Sequence, residues 1–415
     1  MPCAGFGPRL AVMTVLLLAL GGGACRKHGP APKVRYIGDL IGKDGNGAHV
    51  LSQDGAYSID LGGGSVWIFM DTFYGTRKAN GEADIKGAVS SNAAWTEDRD
   101  ASDGISGLRH LRDAHGNAAQ AVRDTVSGSP LRSAPGTRLR RWRSGPLRSA
   151  PGTRLRRWRS GPLRSAPGTR LRRWRGGPGK PALWPHHGVN IGKKTYVFYS
   201  IQERAGSKDG ELRHAGQGLA VASKAGAHFL PISLRGRHAF WGRSQPRFGA
   251  AVLSGKDGWI YAYGRDENVH DKAGFKLARV RPENIENPER YEYFAGAGPE
   301  PSWTPDLSGA ESLLDDGPPE VSASFNAYLG KYLMLYSRYL EQDVAVRTSA
   351  QPWGPWSKPS IVYRCPTAEN AAQGVSCYAG KEHPQYAREG GRVVYFTLVD
   401  GRVFGGLPKI YELEF

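Results

Sequence analysis

The stretch Gly55–Phe73, GAYSIDLGGGSVWIFMDTF, decides the fold. A short segment, Gly55–Leu61, leads into a turn opened by glycines at Gly62, and the chain returns through Val66–Phe73, a run of aromatic and β-branched residues. Such side chains suit a pleated, half-buried surface and glycine permits the tight reversal, so the stretch predicts a β-hairpin. The arrangement recurs four times. Thr195–Ser200 (TYVFYS), Trp259–Tyr263 (WIYAY), Tyr332–Ser337 (YLMLYS) and Val393–Leu398 (VVYFTL) follow turns at Gly192, Gly255, Leu329 and Glu389. Ahead of those turns lie His187–Ile191, Phe248–Ser254, Val321–Tyr328 and His383–Ala387.

From Thr195 onward the runs start 64, 73 and 61 residues apart, and the first step of 129 shortens to 81 when the 48 residues Leu131–Pro178 are set aside. Each repeat of roughly 60 to 80 residues also holds further strand-like segments, such as Gly218–Ser223 and Val344–Thr348. The pattern predicts an all-β protein, a five-bladed β-propeller over residues 35–415. A β-sandwich with irregular loops is the competing architecture.

In a propeller the first strand of each blade lines a central channel, so the residues at its beginning gather at one mouth. Here they are Asp54, His186 with His187, Phe248, Glu320, and Glu382 with His383. A turn centred near Gly63 sets residue 71 opposite residue 55 and Asp71 diagonally beside Asp54. Two carboxyls so placed suit glycoside cleavage: one protonates the leaving oxygen while the other, ionised, attacks or activates water, and their separation decides between retention and inversion. Asp54 and Asp71 are the candidate catalytic pair; the alternative is local, a turn cap before Gly55 and a strand-end aspartate bonding backbone. His187, Glu320, Asn326, Glu382 and His383 are candidate substrate-binding residues, with Arg338 a further one. Strict alternation puts Glu382 and His383 on opposite faces and admits only one of His186 and His187 to the channel. Trp184, Trp303, Trp353 and Trp356 suit either stacking on sugars or packing between blades.

At 415 residues, 40% hydrophobic and 10% aromatic, the chain can bury a sizeable core, and its 56 glycines favour turns over long helices. A net charge of +18 invites a nucleic-acid reading until the charge is located. Leu131–Arg143, LRSAPGTRLRRWR, recurs at Leu147–Arg159 and Leu163–Arg175, with five Arg and no acid in each copy. The copies hold 15 of the 18 excess charges, so the rest is near neutral and no specific nucleic-acid partner is expected. Each 16-residue unit contains Pro and Gly and buries too little to stack. Residues 131–178 are therefore expected to form a flexible, disordered Arg-rich insertion in a surface loop. The alternative is a basic arm that touches an acidic polymer, anchored by Trp142, Trp158 and Trp174.

Arg9 precedes the apolar run Leu10–Leu20, too short to span a bilayer, and small residues Gly21–Ala24 lead into Cys25. Residues 1–24 read as an export signal and 25–34 as a lipoprotein-type linker, with Cys25 the expected site of lipidation in a bacterial cell envelope. Gly22, where leucine is usual in a lipobox, keeps cleavage after Ala24 and simple secretion as the alternative. In an oxidising compartment Cys365 and Cys377 can close a local disulfide, which leaves Cys25 unpaired. A monomer is expected. The chain has no GxxxxGK[ST], HExxH, GxSxG or CxxC pattern, so nucleotide hydrolysis, zinc proteolysis and serine esterase chemistry find no support. Two-carboxylate cleavage requires no cofactor, and a structural calcium on carboxylates and carbonyls is compatible with it.

DGAYSIDLGGGSVWIFMDTFYG at Asp54–Gly75 resembles the opening blade of the bacterial domain-of-unknown-function family 4185. WPHHGV at Trp184, LARVRPENIENPERYEYF at Leu277 and YAGKEHP at Tyr378 are similar to it too. The family is similar to five-bladed glycoside hydrolases of the arabinanase type, and some members cleave mycobacterial D-arabinan as endo-acting enzymes. The resemblance implies a propeller whose motif aspartates are Asp54 and Asp71; Met70, where many members have glycine, departs from the pattern and narrows the site. Three functions follow: an exported, lipid-anchored hydrolase of a polysaccharide such as arabinan, a non-catalytic carbohydrate-binding lipoprotein, or a polyanion binder acting through the Arg repeats.

Overall fold

The computed structural model describes residues 32–41, 48–80, 83–123, 181–204, 212–266, 274–297, 300–338, 340–365, 375–402 and 406–415. The export signal, Cys25 and the Arg-rich repeats fall outside them. Among the described residues no helix is long and apolar enough to cross a membrane.

The described chain is all-β, built of antiparallel sheets taken up in sequence order. After β1 (Lys33–Asp39) come β2 (Val50–Gln53), β3 (Tyr57–Asp60), β4 (Ser65–Phe69), β5 (Thr72–Arg77), β6 (Ala83–Val89), β7 (Asn92–Thr96) and β8 (Arg109–His110). They make a β3-β4-β7-β8 sheet and a smaller β2-β5-β6 sheet. The next sheet is β9 (Ala182–Ile191), β10 (Lys194–Arg204) and β11 (Leu212–Ala222), edged by β12 (Leu230–Pro231) and β13 (Trp241–Gly242). Then follow β14 (Arg247–Ser254), β15 (Ile260–Asp266), β16 (Gly274–Val280), β17 (Glu292–Ala297) and β18 (Pro301–Thr304). A fourth group is β19 (Ser322–Asn326), β20 (Lys331–Arg338), β21 (Asp343–Ser349) and β22 (Ser360–Arg364). The last comprises β23 (Val375–Glu382), β24 (Val393–Arg402) and β25 (Pro408–Glu414), and β1 pairs with β25 at its edge. β1 thus begins two residues before position 35, inside the expected linker.

The cores lie between consecutive sheets. Ile59, Val66 and Ile68 pack on Val197, Tyr199 and Ala220; Phe198 and Leu219 pack on Phe248 and Ala262; Tyr261 and Tyr263 share a core with Met334 and Tyr336. Leu333 and Leu335 then pack on Val394 and Phe396, and Tyr395 and Ile410 return to Trp67 and Phe69 of the opening sheet. Each fully buried aromatic among these contributes about 2 to 3 kcal/mol over its exposed state. The leading strands β3, β9, β14, β19 and β23 touch one another in that order. Cys365 and Cys377 are joined by a disulfide beside the fourth and fifth sheets.

Two hairpin assignments differ from the sequence reading. Val66–Phe73 is not one strand: it breaks at Met70–Asp71 into β4 and β5, which belong to different sheets. The leading strand of the last sheet is β23, while Pro384–Tyr386, within the expected segment His383–Ala387, forms a 3₁₀ turn. Pro384 has no N–H to give a ladder, so the strand cannot run through it.

Candidate active site

The break between β3/β4 and β2/β5 creates the site. Tyr57↔Ile68 and Asp60↔Ser65 in one sheet, and Gln53↔Thr72 in the other, follow one continuous register. That register sets Asp54 directly across from Asp71, one residue off the diagonal placement expected from the sequence. The Asp54 N–H donates to Asp71 O at 3.0 Å, and Met70 N–H donates to Asp54 O at 2.9 Å. Gly55, at φ +63°, makes the kink; a Cβ there would sit 3.0 Å from Met70 Cε and 3.7 Å from Glu320 Oε1.

Each aspartate has its own donor. The Tyr378 hydroxyl, from β23, donates to Asp54 Oδ1, and Trp184 Nε1, from β9, donates to Asp71 Oδ1 at 2.9 Å. Burial pushes Asp54 up to about 6, with the Tyr378 hydrogen bond pulling down and Glu320 pushing further up. Burial also pushes Asp71 up to about 7, helped by the charge on Asp54 and opposed by Trp184. The pair shares its titration, so these values describe two steps of one dyad. Two neighbouring acids that lose their protons one after the other can divide the work of proton donor and charged partner.

Three leading strands carry β-bulges near this level: at His186–His187 in β9, at Gly249–Ala250 in β14, and at Ala379–Gly380 in β23, where Ala379 has φ +59°. The single extra residue in β9 and in β23 overturns the alternation rule there, while β14 inserts two. Both His186 and His187 reach Tyr57: His186 Nδ1 lies 3.4 Å from its hydroxyl, and the His187 ring stacks on it at 5.8 Å. His187 accepts from Val252 N–H at Nδ1, so Nε2 carries the proton and donates to Ser58 O at 3.2 Å. Burial first, then the charge on Lys381, lowers His186 to about 3; burial, outweighing a backbone hydrogen bond, lowers His187 to about 4.

The other predicted residues fall into two groups. Glu320, just before β19, faces Asp54. His383 is buried with Nδ1 2.6 Å from Ser58 Oγ, Nε2 2.9 Å from Thr397 Oγ1, and its ring against Trp67. Glu382 is buried, pushed up to about 7 by burial, and accepts from Ser324 Oγ at 2.8 Å. Asn326 donates to Gly391 O, ahead of β24, and accepts from Leu329 N–H in the β19–β20 turn, and Arg338 pairs with Asp343 at 2.6 Å. Phe248 is fully buried. Trp303, Trp353 and Trp356 pack on the core between the third and fourth sheets, and only Trp184 of the four tryptophans contacts an aspartate of the pair. Sequence reasoning missed the roles of Tyr378, Tyr57 and Lys381; YAGKEHP contained two of them, but the bulge that turns Tyr378 toward Asp54 leaves no periodic signal. Among the described residues no group of three or more His, Cys, Asp and Glu is set to hold a metal ion.

The geometry defines an all-β protein with an acidic dyad where its leading strands begin. The chain belongs to the domain-of-unknown-function family DUF4185, whose sequence model matches residues 171–400. That match takes in β9 through β23 and most of β24, and Asp54–Gly75 lies ahead of it. No curated protein matches significantly. Among solved structures, a Bacteroides ovatus protein provisionally described as a hydrolase is similar at TM-score 0.56 and 15% identity, over 91% of this chain and 87% of that one. The GH43_1 enzyme from Xanthomonas citri complexed with xylotriose aligns at TM-score 0.47 and 15% identity, over 90% and 89%. A family 117 glycoside hydrolase from Zobellia galactanivorans aligns at 0.43 and 12%, over 92% and 90%. The likeness to the Bacteroides protein is one of fold.

Proposed function

We propose that the protein is a five-bladed β-propeller glycoside hydrolase that cleaves a polysaccharide such as arabinan with Asp54 and Asp71. The circular order of the inter-sheet cores, with β1 closing the last sheet, supports the propeller reading. The observation that carries the catalytic reading is the cross-strand dyad of two part-buried carboxyls, each with a separate donor and pushed up by burial to about 6 and about 7. In this reading Asp71, the higher of the two, holds the proton near neutrality and gives it to the leaving oxygen. Asp54, ionised and steadied by Tyr378, attacks the anomeric carbon or takes a proton from water. Export and a lipid anchor on Cys25 would bring this chemistry to the cell envelope, and the Arg-rich repeats are then an insertion rather than the working part.

The test is product release from arabinan, arabinogalactan and other wall polysaccharides by the purified mature chain and by folded Asp54→Asn and Asp71→Asn variants. Oligosaccharides from the wild type and from neither variant are expected. Release that persists in both variants would exclude the dyad, and binding without release would make the site lectin-like.

A further inference from the structure

Lys381 is 1% exposed and has no role in the dyad chemistry. Its ammonium lies 3.4 Å from Glu320 Oε1 and 4.1 Å from the centre of the Tyr57 ring. The contact with Glu320 is a loose ion pair: among the described residues neither Lys381 Nζ nor Glu320 Oε1 meets hydrogen-bond geometry with a partner. A buried cation held this loosely by a part-buried acid is weak support for stability: burial lowers the Lys381 pKa, and the charge on Glu320 opposes this without ideal geometry. Their position is more informative. Glu320 Oε1 stands beside Gly55, 3.7 Å from where a Cβ would lie, next to Asp54. Below it, Tyr57, His186, His187 and His383 form a layer in which Lys381 is the charged member.

We propose that Lys381 is a positioning residue acting through Glu320: its ammonium fixes the Glu320 carboxylate against Asp54, so that negative charge on Asp54 is opposed by a second acid. The proposal rests on the reading of Asp54 and Asp71 as the reacting pair. The groups facing Asp54 are Glu320, the Tyr378 hydroxyl and Asp71; those facing Lys381 are Glu320, the Tyr57 ring and the three imidazoles. After burial, the charge on Glu320 is what holds Asp54 up. Burial keeps the three histidines neutral, with the charge on Lys381 adding to it, so they add no competing cation.

Carboxyl NMR of the full chain with labelled aspartate reads the Asp54 titration without substrate, the signal being assigned with Asp54→Asn. Glu320→Gln should lower the Asp54 midpoint by roughly one pH unit, as expected when a neighbouring like charge is removed. Lys381→Met should lower it by a similar amount, because the Glu320 carboxylate, 16% exposed, then has no cation to hold it against Asp54 and is free to turn toward solvent. The double variant should match Glu320→Gln alone. An unmoved or raised midpoint in Lys381→Met, or shifts that add in the double variant, would overturn the proposal. If Lys381→Met does not fold, the double variant, free of both charges, is compared with Glu320→Gln, and any difference between them is equally decisive. Titrations that behave as expected in a chain that releases no sugar would leave this electrostatic relay standing and remove only the hydrolase reading.

Discussion

Tyr378 and Trp184 each lower the pKa of the aspartate they bond, and under the proposed mechanism this has opposite effects on the width of the activity profile. The proposed mechanism needs Asp54 ionised and Asp71 protonated, so under it the profile of kcat/KM is expected to be a narrow bell between about 6 and about 7. Tyr378→Phe removes a bond that favours the Asp54 carboxylate, so the acid limb should rise and the bell narrow. Trp184→Phe removes the bond that favours ionised Asp71, so the alkaline limb should rise and the bell widen. Profiles that move together in both variants would show that the donors do not act on separate carboxyls. Asp54→Asn and Asp71→Asn should each cost at least about 100-fold in kcat/KM in the same assay. The dyad was legible in the sequence because a hairpin turn fixes which residues face each other, and the error was a single residue of register. Tyr378 and Lys381 were not legible, because they flank a bulge at Ala379–Gly380 that hides which side each faces.

At the scale of the elements, glycine marks where strands come too close for any side chain. Gly188 lies at the end of the β9 bulge, and a Cβ there would meet Tyr196 O at 1.9 Å and Ile59 Cδ1 at 2.8 Å. Gly192, in the following turn, has φ +59° and nothing within 4 Å of a Cβ. Gly188→Ala must therefore push β9 off β10 and is expected to cost upward of about 4 kcal/mol, whereas Gly192→Ala should cost about 1 to 2 kcal/mol, the price of a left-handed conformation. Urea midpoints of the two variants compare contact with conformation directly; equal losses would mean that the bulge relaxes around the new methyl. The hairpins themselves were legible from aromatic runs following glycine turns. The sheet exchange at Met70–Asp71 was not, since VWIFMDTF keeps one character throughout while its backbone partners change.

For the whole molecule, the order of the sheets was readable from the spacing of the runs, but its closure was not: KVRYIGD in β1 is short and largely exposed, and only its pairing with β25 gives it meaning. The stability of the assembled fold follows from the many ionisable groups it buries neutral. His110, His186, His187 and His214 are lowered to between about 3 and about 4, and His383 lies well below its ordinary value, all chiefly through burial. Their folded pKa values are depressed, so the unfolded chain binds protons that the fold refuses once pH falls below about 6.5, and acid favours unfolding. Asp54, Asp71 and Glu382 work the other way: raised to about 6, about 7 and about 7, they give stability below their unfolded values that is lost as pH climbs toward 7. Near pH 5 the unfolded chain holds five extra protons on these imidazoles and the folded chain three on these carboxyls. The histidines win by about two protons, so stability should rise with pH at on the order of 2 to 3 kcal/mol per unit there. Near pH 7 the two sets balance and the curve should flatten. Urea unfolding between pH 4.5 and 8 tests this: stability that instead falls from pH 5 to 7 would mean that the buried carboxyls, and not the imidazoles beneath them, dominate the electrostatics of the fold.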